Sequence, residues 1–332
     1  MTVVAPSLAD IETARERIAH IARRTPLARA ELDGDAPELW LKLENLQPIG
    51  AFKIRGAAAA MAAADPAAMA NGVVTASAGN MAQGVAWCAR ELGVRCRVIA
   101  PDHAPRAKTD AIERLGGEMH RVPFAEWWQT LLDRRYPGMD GLFVHPFADP
   151  QVMAGNGTLA LEIAEELRDV DAVLVPYGGG GLACGIAAAL RAVSPRTKVY
   201  AVEVETAAPL TATFAAGAPT TVTRTRTFID GMGSDRVSEE MWPLVRELLA
   251  GTVVVSVAEV AAAVRRLAGR VHVVAEGAGA SPLAAAMTLR SGAARGANVA
   301  WLRDARRVVG IVSGGNIDSD VFATILRGEL PG

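Results

Sequence analysis

The sequence predicts an α/β protein built around parallel sheets. Short runs rich in β-branched residues alternate with alanine-rich stretches of helical length through most of the chain. Glycine-rich turns fall where such a run ends and the next helix begins. With 332 residues, 51% of them apolar, the chain can bury one large core or two modest ones.

In order, strands are expected over 72–76, 97–100, 172–177, 199–203 and 308–312. Helices are expected over 54–69, 81–92, 105–115, 182–193 and 257–268, where alanine is frequent. Strands alternating with helices imply βαβ units, with helices covering both faces of each sheet. The stretch 138–150, with two prolines and few helix formers, is the best candidate for a domain boundary. Residues 207–235, rich in Thr, Gly and Pro, read as one long connection of the kind that often carries function.

A net charge of −2 gives no electrostatic case for binding nucleic acid or a membrane surface. No run approaches the roughly 20 apolar residues that a bilayer crossing needs. Residues 1–10 lack a basic stretch followed by an apolar one, so no signal peptide is expected. Cys88, Cys96 and Cys184 have no metal-ligand spacing and read as reduced thiols in a cytoplasmic protein. His20, His103, His120, His145 and His272 also lack ligand spacing and read as structural. Of 34 basic residues only four are lysines: Lys42, Lys53, Lys108 and Lys198. Arginine stays protonated and cannot condense with a carbonyl, whereas lysine can.

Four segments could carry chemistry. Gly178-Gly179-Gly180-Gly181 follows the strand at 172–177 and precedes an apolar helix. Glycines let a ligand approach the backbone, and a helix start offers unpaired N–H groups and a positive dipole end. Together they hold phosphate without a basic side chain, although a tight turn packing helix on strand has the same sequence. The segment also fits a dinucleotide fingerprint, with Gly178, Gly180 and Ala183 as G-x-G-x-x-A and Glu203 about 20 residues on for a ribose hydroxyl. That pattern alone would suit a nicotinamide oxidoreductase.

The second segment, LKLENLQPIGAFKIRG, places Lys53 beyond a turn at Gly50 and at a helix start. Burial beside Phe52 and Ile54 and the positive helix end would both lower its pKa, leaving the neutral amine that imine formation requires. A surface lysine in a first helical turn is the plainer alternative. Third, Ser77-Ala78-Gly79-Asn80 lies between a strand and a helix, either as an anion-binding nest or as a helix cap. Asn80 could also donate to a phenolic oxygen. Fourth, Ser313-Gly314-Gly315-Asn316 follows the strand at 308–312, where a serine can hydrogen-bond a heteroaromatic nitrogen or simply cap the next helix.

Taken together and in this order, the segments resemble the fold-type II pyridoxal-phosphate enzymes, in the branch of serine/threonine dehydratases (threonine ammonia-lyases) and serine racemase. The similarity runs from about Thr25 to Gly328. Arg24-Thr25-Pro26-Leu27 looks like the family's opening signature and LKLENLQPIGAFKIRGA like its Schiff-base segment. SAGNMAQG resembles its substrate-carboxylate loop, Gly178–Gly181 its phosphate cup and VSGGN its cofactor-nitrogen site. Ala104-Pro105 with Lys108, and Glu276-Gly277-Ala278-Gly279-Ala280, match further segments.

The resemblance implies a tryptophan-synthase-β-like fold of two three-layer αβα domains with the cofactor in the cleft between them. Residues 1–45 plus 147–332 would form a large cofactor-binding domain, and 46–146 a small mobile one carrying Lys53. Pyridoxal 5'-phosphate would form a Schiff base with Lys53, packed by Phe52 and contacted by Asn80, Glu276 and Gly314. Gly178, Gly179, Gly180 and Gly181 would hold its phosphate, and Ser313 its ring nitrogen. Ser77, Ala78, Gly79, Asn80 and Met81 would meet the substrate, with Lys53 as the base that removes the α-proton. A neutral hydrogen bond from Ser313 favours β-elimination over transamination. The implied reaction turns a β-hydroxy amino acid of the L-threonine or L-serine type into a 2-oxo acid and ammonia. β-Replacement, or elimination from a bulkier β-substituted amino acid, fits the same fold. A cytoplasmic homodimer is implied as well.

The chain departs from the family at several points. Met81 stands where histidine is usual, which predicts a more apolar pocket, and Ile49 and Ala51 replace hydroxyl residues. Ala78 stands where serine racemase has its acid/base serine, which disfavours racemisation. Glu203 and Ala207 match a racemase-type cation site, but Pro209 occupies its aspartate position, so no metal is expected. The chain ends soon after VSGGN, so neither a regulatory domain nor isoleucine feedback is expected.

Overall fold

Two sheets organise the chain in the computed structural model, which describes residues 3–31, 37–104 and 106–331. Pro105 and the side chain of Lys108 lie outside the described residues. The first half begins with α1 (Leu8–Ile18), β1 (Leu27–Ala30), β2 (Glu38–Lys42) and α2 (Lys53–Ala63). It continues with β3 (Val73–Ala76), α3 (Asn80–Leu92), β4 (Cys96–Pro101) and α4 (Arg106–Arg114). Then come β5 (Gly117–Val122), α5 (Phe124–Asp133), β6 (Leu142–Phe143) and α6 (Pro150–Glu166). The second half runs through β7 (Ala172–Pro176), α7 (Gly181–Val193), β8 (Lys198–Val204), α8 (Pro209–Ala216) and α9 (Trp242–Leu248). It closes with β9 (Gly251–Val255), α10 (Val257–Arg266), α11 (Gly277–Arg290), β10 (Arg307–Ile311) and α12 (Ser319–Leu326).

The larger sheet has the order β1-β2-β10-β7-β8-β9, parallel except for β1 against β2. The smaller sheet, β5-β4-β3-β6, is parallel throughout. Alternation along β7 explains the layering: Val173 and Val175 join one core, while Ala172 and Leu174 join the core on the opposite face. A third, smaller core gathers Val74, Ala76, Ile99, Val122 and Leu131 beside the four-stranded sheet.

Each strand expected from sequence is present, with ends shifted by at most one residue. The helix expected over 54–69 ends early, at Ala63. Pro66 forces Asp65 out of the helical region, and Asp65 then caps a separate 3-10 turn over Pro66–Met69 by accepting from the Ala67 N–H at 2.9 Å. The long connection at 207–235 contains α8, which has proline at its first position, where the missing N–H costs nothing.

The helix that starts at Lys53 is pinned by buried charge. Arg55, 2% exposed, donates to both carboxylate oxygens of Glu44 at 2.8 and 2.9 Å. It also donates to Glu162 Oε1 at 2.7 Å and to Thr158 Oγ1 at 3.0 Å, both on α6. Lys42 Nζ lies 2.7 Å from Glu162 Oε2 and donates to the Thr25 carbonyl at 2.6 Å. Burial alone would push the Glu44 carboxyl up; Arg55, with Thr25 and Lys42, holds it below the usual carboxylate range. α2 therefore packs on α6, α1 and α3, tied by ion pairs to residues beside the larger sheet. Gly155 allows that closeness, because a Cβ there would lie 2.3 Å from the Arg55 carbonyl oxygen.

Removing Arg55 strands the buried Glu44 carboxylate and leaves Glu162 with Lys42 alone. Arg55→Met should cost roughly 3–5 kcal/mol in urea unfolding, and an unchanged midpoint would contradict the anchoring role.

Candidate active site

The C-terminal ends of β3, β7 and β10 each release a short polar or glycine-rich turn, as open parallel sheets do around a ligand. From β10 come Ser313, Gly314 and Gly315, which pair with the turn before Lys53. Ala51 bridges Gly314, the Phe52 N–H donates to the Ser313 carbonyl at 2.9 Å, and the Gly315 N–H donates to the Gly50 carbonyl at 2.8 Å. Gly50 has φ +71°, and a Cβ on it would meet Asn316 at 2.7 Å, so only glycine turns the chain there.

Lys53 is the first residue of α2, and burial lowers its pKa from the ordinary 10.5 to about 8. Its Nζ donates to the Pro146 carbonyl oxygen at 2.6 Å and sits 5.2 Å from the centre of the Phe52 ring. Among the described lysines, Lys42 contacts Glu162 and Lys198 lies over the Trp301 ring at 3.9 Å. Lys53 has no acidic partner among the described residues.

The residue after Pro146 reaches the tetraglycine turn. A Cβ on Gly179 would fall 2.2 Å from the Phe147 ring, and one on Gly181 would fall 2.6 Å from the Phe147 carbonyl oxygen. Gly180 adopts φ +90°, and no side chain caps the N-terminus of α7. The turn thus presents helix-start N–H groups on a backbone packed as only glycine permits. His145 props the bridging residues: its Nδ1 accepts from the Ala148 N–H at 2.8 Å and from the Phe147 N–H at 3.3 Å. Burial first, then Arg134 and Lys53 nearby, push its pKa down to about 3, so it stays neutral with its proton on Nε2.

On another side, Asn80 donates from Nδ2 to Glu276 Oε1 at 2.9 Å and accepts from Asn316 Nδ2 at 2.8 Å. One Asn80 amide hydrogen remains available. Gly314 packs against Glu276, where a Cβ would lie 2.4 Å from Oε1. Ser313 is 3% exposed, and its hydroxyl has no partner among the described residues. The Ser77 hydroxyl accepts from the Gly79 N–H at 3.2 Å, and a Cβ on Gly79 would meet nothing within 4 Å. The half-buried turn Ser77–Asn80, Ala78 included, therefore opens on space. Met81, 2% exposed, lies in the main core with Ile54 and Ala82.

Glu203, weighed as a ribose or cation ligand, is committed elsewhere. Its carboxylate accepts from the Leu210 N–H at 2.7 Å, the Thr211 N–H at 2.8 Å and the Thr211 hydroxyl at 2.6 Å, capping α8. The role of Pro146 and Phe147 was not visible in sequence, where that stretch reads as a domain boundary. The 229–232 segment is another case, since Gly231 lies against both Gly178 and Glu276.

An amine without an acidic partner, an uncapped glycine turn and a free hydroxyl suit a ligand that is aldehyde, phosphate ester and nitrogen heterocycle at once. Pyridoxal phosphate is such a ligand. The family described as pyridoxal-phosphate dependent enzymes matches residues 18–314, and the chain belongs to it. It is 36% identical to an L-threonine ammonia-lyase of Thermotoga maritima, over 98% of this chain and 79% of that protein. It is 37% identical to the catabolic L-threonine dehydratase TdcB of Escherichia coli strain K12, over 93% and 92%. Among solved structures, maize serine racemase superposes with a TM-score of 0.87 at 29% identity, covering 98% of both chains. The threonine deaminase of T.th. gives 0.80 at 35% identity, over 94% of this chain and 99% of that one.

The Lys53 pKa makes a signed prediction for the cofactor-free protein. Between pH 8 and 10.5 the unfolded chain holds more protons on this lysine than the folded one, so stability gained from deprotonation rises with pH across that window. Lys53→Met should be more stable than wild type below pH 8, with the difference closing toward pH 10.5. Urea midpoints at neutral and alkaline pH measure this; a difference independent of pH would show that the lysine is not desolvated.

Proposed function

We propose that the chain is a dehydratase (ammonia-lyase) acting on a β-hydroxy amino acid of the L-threonine or L-serine type. The observation that carries the reading is the Lys53 amine, desolvated and unpaired with any described acid, held beside the glycine turn through Pro146 and Phe147. The activities of the relatives, threonine ammonia-lyase and threonine dehydratase, support the same class.

Bound here, pyridoxal phosphate supplies an aldehyde that condenses with amines and a ring that takes up electrons. The N–H groups of Gly178–Gly181 would hold its phosphate, the Ser313 hydroxyl would meet its ring nitrogen, and Asn80 would donate its remaining amide hydrogen to the cofactor. Glu276 and Gly314 position Asn80, and Phe52 would flank the ring. The N–H groups around Ser77–Asn80 would orient the substrate carboxylate, leaving the α-proton for Lys53 to take. At about 8, the Lys53 pKa leaves part of the amine neutral near pH 7, able to take the α-proton onto Nζ. The β-hydroxyl takes up a proton and leaves as water, and a water molecule hydrolyses the released enamine to the 2-oxo acid and ammonia.

Residues 46–146 form the proposed smaller domain, with α2 as the edge it shares through Arg55. A cytoplasmic homodimer is the proposed setting, which the buried free thiols Cys88, Cys96 and Cys184 suit.

The cofactor-loaded enzyme should release 2-oxo acid and ammonia in equal amounts from L-threonine or L-serine. Lys53→Ala should lower that rate by at least about 10³-fold, the scale of a lost general base. If the loaded wild type consumes neither amino acid, the proposal is wrong.

A further inference from the structure

Tyr177 follows β7 and precedes the tetraglycine turn, at a position where sequence gives only an aromatic strand end. It is 2% exposed. Its hydroxyl oxygen and Cε2 both lie 3.4 Å from the point where a Cβ on Gly180 would project, with Met241 Cε equally close. The ring therefore packs against the turn, and its polar end lies alongside Gly180.

That hydroxyl has no hydrogen-bond partner among the described residues. Although the residue is buried, the hydroxyl oxygen itself is not sealed from solvent, so it can reach a ligand beside the turn. The carboxylate of Glu203 is the obvious protein acceptor, since it lies close enough to act on the tyrosine electrostatically. Its two oxygens, however, already accept three hydrogen bonds from Leu210 and Thr211. Burial first, then Cys184 and Glu203, keep the phenol protonated by pushing its pKa well up, so it remains a donor. An anion filling the turn would offer it an acceptor alongside Gly180.

Building on the cofactor reading above, we propose that the Tyr177 hydroxyl is an additional ligand for the phosphate, donating to one of its oxygens beside the N–H groups of Gly178–Gly181. The chain thus supplies one side-chain donor in a cup otherwise built from backbone.

The test uses holoenzyme carrying Tyr177→Phe, which removes the hydroxyl and keeps the ring. The cofactor should leave the variant roughly tenfold faster than wild type, as expected for one hydrogen bond to a charged group. Its bound ³¹P resonance should shift, while the melting temperature of the cofactor-free protein stays unchanged. Release within twofold of wild type would overturn the proposal. Faster release with an unshifted ³¹P resonance would overturn it too, since that would reflect packing alone. If wild-type protein shows no bound ³¹P resonance at all, the cofactor reading fails instead of the tyrosine's part in it.

Discussion

One short link holds the site together: the Lys53 ammonium donates to the Pro146 carbonyl, and the next residue, Phe147, packs where a side chain on Gly179 would have to be. An amine that reacts with a carbonyl and a turn that grips a phosphate are useful only at a fixed separation. Here the separation is set by two adjacent residues rather than by either sheet alone. His145 keeps that pair in place from behind, and being neutral it does so without adding charge beside the amine.

The same link explains the contrast between Lys53 and the residues around it. Arg55, two positions along, is saturated with carboxylates that anchor α2. Lys53 meets only a carbonyl, so desolvation acts on it unopposed and its pKa falls. Charge is spent on holding the helix and withheld from the amine at its tip.

Much of this was legible in the sequence because it is local. Lys53, Ser77–Asn80, Gly178–Gly181 and Ser313 each sit where a strand ends or a helix starts, and glycine and small polar residues mark such places. The alternation that separates the two faces of β7 is equally local. What stayed hidden depends on distant partners. The Lys53–Pro146 bond joins residues 93 apart, and Asn80 finds Glu276 across 196. Glu203 has the sequence position of a ribose ligand, yet a helix start created by Pro209 takes its carboxylate. Met81 reads as a pocket residue from its motif, but as the first turn of α3 enters the core its side chain is buried there.

Reducing the cofactor-loaded protein with borohydride and mapping its peptides by mass tests the arrangement most directly. The account predicts a cofactor-derived mass on the peptide containing Lys53. The same mass on Lys42, Lys108 or Lys198, or on no lysine, would contradict it.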